Sequence, residues 1–322
     1  MASLLSVENL QVQFQTKKGI NTAVDGVSFS VEKGRILGIV GESGCGKSVT
    51  SMSILQLLSS NARISGGSIK LDGKELIGLP EKEMCRIRGN DIAMIFQDPM
   101  TALNPTLTIG TQLMEPIMLH QNCGKKEAWT RAVDVLKRVG IAAPEKRMKE
   151  YPHQLSGGMR QRVMIAMAVS CEPRLLIADE PTTALDVTIQ AQILELMCEL
   201  REKMGTAIML ITHDMGVVAE TADDVLVLYA GKAVEYGSIE DIFERPKHPY
   251  TQGLLNSIPR LDEDVELLNT IEGTVPAPDA MPAGCRFAPR CPYGKDRCMK
   301  EKPGVYHAGN SLVSCFRYEG EK

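Results

Sequence analysis

The run Gly41-Glu42-Ser43-Gly44-Cys45-Gly46-Lys47-Ser48 constrains this chain more than any other stretch. It follows the apolar Ile36-Leu37-Gly38-Ile39-Val40 and leads into a helix-compatible segment over residues 49–58. In a strand, loop, helix setting, glycines let backbone N–H groups curl around an anion at the positive end of the helix. Lys47 would add a mobile charge for the β- and γ-phosphates and Ser48 a hydroxyl for a magnesium ion. Gly41, Ser43, Gly44, Cys45, Gly46 and Val49 complete the expected cradle. The competing reading is a glycine-rich turn that binds nothing. The full match between a buried strand and a helix favours the phosphate loop and leaves open which nucleotide machine it serves.

At 322 residues, 43% hydrophobic and 24% charged, the chain is long enough for two domains with a sizeable core. A net charge of -4 argues against a broad basic surface, so no nucleic-acid partner is expected. The start, Met1-Ala2-Ser3-Leu4-Leu5-Ser6-Val7-Glu8, lacks a basic region and does not read as a secretory signal, so a cytosolic location is expected. Residues 163–169, among the longest apolar runs, fall far short of the roughly 18 residues that a membrane span needs. Any membrane association is therefore expected to come through partner proteins.

Residues 6–14 alternate, setting Val7, Asn9, Gln11 and Gln13 against Glu8, Leu10, Val12 and Phe14, which predicts an amphipathic strand. Residues 27–31 repeat the alternation, and Ser68-Ile69-Lys70-Leu71 before Asp72-Gly73 signals a hairpin. Residues 92–96, 175–178, 208–211 and 225–228 are short apolar runs of parallel-sheet type, separated by helix-length segments. Residues 108–150 read as helical, within an insertion expected over about 98–170 where a partner could dock. Beyond Phe243 prolines accumulate and regular structure is expected to thin, placing a boundary near residue 245. The expected division is 1–245 as the α/β domain and 246–322 as a small irregular one.

Leu175-Leu176-Ile177-Ala178-Asp179-Glu180 is a buried strand ending in two acids. Asp179 would help hold magnesium and Glu180 would polarise an attacking water; the bland alternative is a pair of solvated acids. Leu155-Ser156-Gly157-Gly158-Met159, followed by Arg160-Gln161-Arg162 and a helix-compatible run, reads alone as a helix cap.

Between the phosphate loop and the Asp-Glu strand end, that last string resembles the signature of the ATP-binding-cassette (ABC) ATPases. The resemblance covers residues 4–244. It implies an α/β P-loop NTPase fold with an antiparallel β layer and a helical subdomain, binding ATP and Mg2+. Ser156, Gly157 and Gly158 would face the γ-phosphate held by another protomer's loop, sandwiching two ATP molecules head to tail. Phe14 resembles the aromatic that stacks on adenine, with a core Phe as the rival. Gln97 resembles the glutamine that meets magnesium and the attacking water. Ala184-Leu185-Asp186 resembles the loop joining the protomers. His213 resembles the switch histidine at the γ-phosphate, against an incidental surface histidine. With Lys47, Gln97, Glu180 and His213 all present, the chain is expected to hydrolyse ATP. Cys45 occupies a variable loop position; a thiol beside a helix N-terminus would have a lowered pKa, although an incidental small residue is the favoured reading.

Three strings narrow the resemblance: residues 97–105, residues 179–194, and His248-Pro249-Tyr250-Thr251 with Leu254, Leu255 and Pro259. Together they resemble the ATPase subunits of bacterial dipeptide, oligopeptide and nickel importers. The tail from Gly284 through Pro292 resembles that subfamily's C-terminal extension. The resemblance implies two transmembrane permease subunits, a second ATPase subunit in a homodimer or heterodimer, and an extracytoplasmic peptide-binding protein. The chain would sit peripherally on the cytoplasmic face of the membrane. Nickel is an alternative cargo. A soluble ABC ATPase acting on ribosomes or DNA is more distant, since such proteins typically carry two cassettes or a long coiled-coil insertion.

Of nine cysteines, Cys285, Cys291, Cys298 and Cys315 crowd into the tail with five, six and sixteen residues between them. Four thiolates there can hold a metal centre that stabilises a segment too small to build its own core. Structural zinc usually takes cysteine pairs two to four residues apart, which are absent. Coordination without such pairs fits a 4Fe-4S cluster better. Zinc is the second reading, and free thiols or a disulfide the third, the cytosol weighing against the disulfide.

Overall fold

The computed structural model describes residues 3–17, 19–183, 186–257, 270–277 and 280–320. The chain divides into two compact units, Met1–Val31 with Ile36–Ile77 and Ile211–Lys322, and Glu32–Arg35 with Gly78–Leu210. In chain order the strands are β1 (Ser3–Thr16), β2 (Gly19–Glu32), β3 (Ile36–Val40), β4 (Ala62–Leu71), β5 (Lys74–Glu75) and β6 (Ile92–Ile95). They continue with β7 (Leu175–Asp179), β8 (Ala207–Ile211), β9 (Asp224–Tyr229), β10 (Lys232–Ser238), β11 (Tyr306–Ala308) and β12 (Ser311–Val313).

In the first unit one sheet has the order β2-β1-β4-β5. Leu5, Val7, Leu10 and Val12 of β1 are all buried, although Val7 and Leu10 are three residues apart. Strict alternation forbids this. The register against β4 shifts between Glu8 and Gln11, where Asn9 sits at φ 48. One extra residue at such a bulge turns the strand over, which corrects the expectation that Val7 faces away from Leu10. The Asn9 N–H is satisfied by Ser28 Oγ at 2.8 Å. β4 and β5 join through Asp72 and Gly73, both at positive φ, as a two-residue hairpin requires.

The unit's other strands run β11-β12-β10-β9-β3. β3 is buried at every position and lies parallel to β9, in register from Leu37↔Asp224 to Val40↔Val227. Continuous apolar runs are what strands covered on both faces need. β10 pairs antiparallel with β9, and β12 pairs antiparallel with β10, matching Glu235 to Val313 and Tyr236 to Leu312. The tail expected to thin thus contributes the helix Pro249–Asn256 and a hairpin bonded to the sheet. Pro249 takes the first helical position, where a missing N–H costs nothing.

In the second unit the order is β8-β7-β6, with β6 parallel to β7 from Ile92↔Leu175 to Ile95↔Ala178. The four apolar runs marked in the sequence are therefore β6 to β9. The insertion is helical, with Ile109–Gln121, Lys125–Arg138 and Gly157–Val169 packed on one another. Ile109, Leu113 and Ile117 on the first, and Ala128, Ala132 and Leu136 on the second, are fully buried at the i, i+4, i+8 spacing of one helix face. Among the described residues no helix is long and apolar enough to cross a membrane.

Candidate nucleotide site

β3 delivers the chain to Gly41, whose φ is 149 and whose added Cβ would overlap the carbonyl oxygen of Leu228 on β9. Only glycine lets the backbones approach so closely. The loop then turns through Gly46 into the helix Lys47–Ile54, whose first N–H groups have no partner within the helix. This helix stops short of the expected residue 58 because Gln56 enters positive φ. Ser43, Gly44 and Ser48 are exposed, Val49 is half-buried, and Cys45, Gly46 and Lys47 are buried. Lys47 Nζ donates to the carbonyls of Gly41 at 2.7 Å and Glu42 at 3.2 Å. Burial pushes the Cys45 thiol up against the opposing pull of Lys47. This corrects the lowered pKa considered for it: desolvation outweighs the helix terminus.

His213 is exposed, and the preceding Thr212 donates its N–H to Ile39 O at 3.2 Å, so the histidine follows a residue bonded to β3. Asp214 caps the helix Met215–Thr221. Phe14 is half-buried near the end of β1, opposite Ala62.

In the second unit β7 ends at Asp179, which is buried, and Glu180 adopts φ 48, a conformation that costs a non-glycine residue and recurs at functional sites. Gln97 Nε2 donates to Glu180 Oε2 at 2.9 Å, and Thr183 Oγ1 donates to the same oxygen at 3.0 Å. The fold thus joins two site residues that lie far apart in sequence and orients the carboxylate. Ser156 caps the helix Gly157–Val169 by accepting from Met159 N, and Ser156 and Gly157 are exposed. Asp186 is also exposed and caps the helix Val187–Met204 through Ile189 N at 3.0 Å. Ala184 and Leu185, part of the same expected loop, lie outside the described residues, as does Pro259.

The tail brings residues to the phosphate loop that sequence reasoning missed. Glu42 N donates to Tyr250 Oη at 2.9 Å, and the Glu42 carboxylate pairs with Arg290 Nη1 at 2.9 and 3.1 Å. Asp25 is met by Lys302 at 2.9 Å, Arg286 at 3.2 Å and Lys232 at 3.3 Å. Burial works against the ionised form of Asp25, but these cations prevail and hold its carboxyl below its ordinary value. Partners more than 200 residues apart carry no local signal; Tyr250 and Arg290 stand in strings that resemble the subfamily, but nothing in those strings points to Glu42.

Cys285, Cys291, Cys298 and Cys315 line one cavity of about 80 Å3. Burial pushes the Cys285 thiol up to about 11 and raises Cys291 and Cys315 as well. Among the described residues no group of three or more Cys, His, Asp or Glu side chains is placed to hold a metal ion, so neither the 4Fe-4S cluster nor the zinc expected from the sequence is shown.

The ABC transporter family profile matches residues 24–183, and the profile for the oligopeptide/dipeptide transporter C-terminal region matches residues 234–298. A dimeric post-hydrolysis structure of the ATP-binding cassette MJ0796, bound to ADP and Pi, superposes with a TM-score of 0.66 at 27% identity, over 73% of this chain and 98% of that one. Fold and motifs together define an ABC ATPase. Over 100% of this chain and 98% of its own length, the oligopeptide transport ATP-binding protein AppD of Bacillus subtilis is 56% identical. The dipeptide transport ATP-binding protein DppD of the same organism is 54% identical over 98% of this chain and 95% of its own. OppD of Escherichia coli, an oligopeptide transport ATP-binding protein, is 52% identical over 98% and 93%. The chain belongs to this family of peptide-transport ABC ATP-binding proteins.

Proposed function

We propose that this chain is the ATP-hydrolysing subunit of an importer that takes up dipeptides or oligopeptides. The end-to-end similarity to oligopeptide and dipeptide transport proteins carries the reading, and it disfavours nickel as cargo. Residues 1–245 would form the nucleotide-binding domain, with the helical insertion at 98–170 facing the permeases, and 246–322 the extension. Two permeases, a second ATPase subunit and an extracytoplasmic binding protein complete the assembly, with this chain on the cytoplasmic face. Lys47 and the loop N–H groups would hold the phosphates, Phe14 the adenine and His213 the γ-phosphate. Ser48, Asp179 and Gln97 offer oxygen donors suited to a hard cation such as Mg2+. Glu180, fixed by Gln97 and Thr183, would take a proton from the attacking water. Ser156, Gly157, Gly158 and Asp186 would serve the partner's nucleotide.

The expected result is that Glu180→Gln lowers turnover by about 10²-fold or more while MgATP still binds. Peptide uptake into vesicles carrying the whole assembly should stop with it. Near-normal hydrolysis, or uptake of nickel instead of peptide, would contradict the reading. For the tail, the shared cavity supports a 4Fe-4S cluster on Cys285, Cys291, Cys298 and Cys315. When bound it would cross-link the tail. Protein purified without air should be brown and contain iron and sulfide, and colourless, iron-free protein would sink the assignment.

A further inference from the structure

Glu42 is tied down at every polar group it has. Its N–H goes to Tyr250 Oη, its carbonyl accepts from Lys47 Nζ and Cys45 N, and its carboxylate pairs with Arg290. Arg290 does not depend on Glu42 for its place. Its Nε donates to Glu272 O at 2.9 Å and its Nη2 to Ile271 O at 3.1 Å, with the side chain only 5% exposed. Tyr250 is equally fixed: it is fully buried, with its ring 4.7 Å from that of Tyr229 and 5.4 Å from that of Phe287. A preorganised guanidinium and a preorganised hydroxyl thus grip the second residue of the phosphate loop.

A carboxylate at that position is awkward. It brings negative charge to the loop proposed to cradle a triphosphate, where an unpaired charge of like sign would oppose anion binding. Arg290 pairs with that carboxylate, and Tyr250 holds the backbone N–H of the same residue. We propose that Arg290 and Tyr250 are positioning residues for the phosphate loop, so that the C-terminal segment carrying them sets nucleotide affinity. The proposal rests on reading the loop as the ATP site. Phe287 and Cys291, neighbours of Arg290 in sequence, line the four-cysteine cavity, which places that cavity next to the grip. Linkage makes the coupling reciprocal: whatever seats the segment tightens nucleotide binding, and nucleotide protects the segment.

The test is MgATP affinity of the full-length protein by equilibrium titration, with folding checked by circular dichroism. Arg290→Ala should weaken binding about tenfold or more, because it leaves a carboxylate unpaired, while turnover at saturating ATP changes far less. Arg290→Lys should recover part of the loss. Glu42→Gln in the Arg290→Ala background should restore affinity to within about threefold of the unaltered protein, since the unpaired charge is gone. Tyr250→Phe, which removes one hydroxyl, should weaken binding by a few-fold even if Arg290→Ala proves unfolded. Lys47→Ala separates the two readings: if it binds ATP normally, the loop is not the nucleotide site. If Lys47→Ala loses binding while folded Arg290→Ala and Tyr250→Phe keep it, the grip does not act on the nucleotide. An Arg290→Ala defect that Glu42→Gln leaves unchanged would likewise overturn the proposal.

Discussion

The phosphate loop and the Ser156 turn are both glycine-containing helix starts, yet they are built in opposite ways. The loop takes its shape from a distance: Leu228 crowds Gly41, Tyr250 and Arg290 hold Glu42, and Cys45, Gly46 and Lys47 are buried. The Ser156 turn is capped by its own side chain, stands exposed, and has nothing within 4 Å of an added Gly157 Cβ. On the function proposed above, the loop closes on its own phosphate and needs preorganisation, whereas the Ser156 turn meets a second chain and needs access.

Three substitutions probe that contrast, beginning with the largest effect. Gly41→Ala should destabilise the fold by about 3 kcal/mol or more, because the new Cβ collides with backbone that cannot yield. Gly44→Ala, where space is open, should cost only the left-handed backbone penalty of about 1–2 kcal/mol. Equal denaturation midpoints for the two would show that the Leu228 contact is not what shapes the loop.

Ser156→Ala should remove about 1 kcal/mol of capping stability while lowering ATP turnover about 10²-fold, the scale for one lost donor at developing charge. Loss confined to stability would reduce Ser156 to a helix cap. Turnover per chain should also rise with protein concentration, as a site completed by a second chain requires.

The smallest effect concerns the helix that carries Tyr250. His248 Nδ1 accepts from Tyr250 N, and burial holds its imidazole pKa down at about 3, with Arg317 assisting. The unfolded chain would bind that proton near 6.5, so it holds more protons than the folded one between pH 6.5 and about 3, and stability falls as pH drops through that window. Glu235, whose carboxyl burial raises above its ordinary 4.5, acts in the opposite sense from that pH upward, within part of the same window. Protection factors of the amides in Pro249–Asn256, corrected for the slower intrinsic exchange in acid, should therefore fall on acidification in the unaltered protein. They should fall less in His248→Gln, and identical pH profiles of protection would show that His248 does not contribute.

Where chemistry needs a residue type at a fixed local spacing, the sequence alone was sufficient. The strand, loop and helix around Gly41, the acids closing β7, the Ser156 cap and strands β6 to β9 were all legible, because apolar runs and capping residues act over a few positions. Tertiary structure decided what depends on meetings between distant residues. The bulge at Asn9 was set by burying Val7 and Leu10 on one face, and the raised Cys45 thiol by enclosure. The hold of Gln97 on Glu180 needed two parallel strands in register. The seating of a proline-rich tail on the sheet and on Glu42 needed β10 to offer an edge. Such partners are specified by packing and desolvation summed over the whole chain, which no short window of sequence contains.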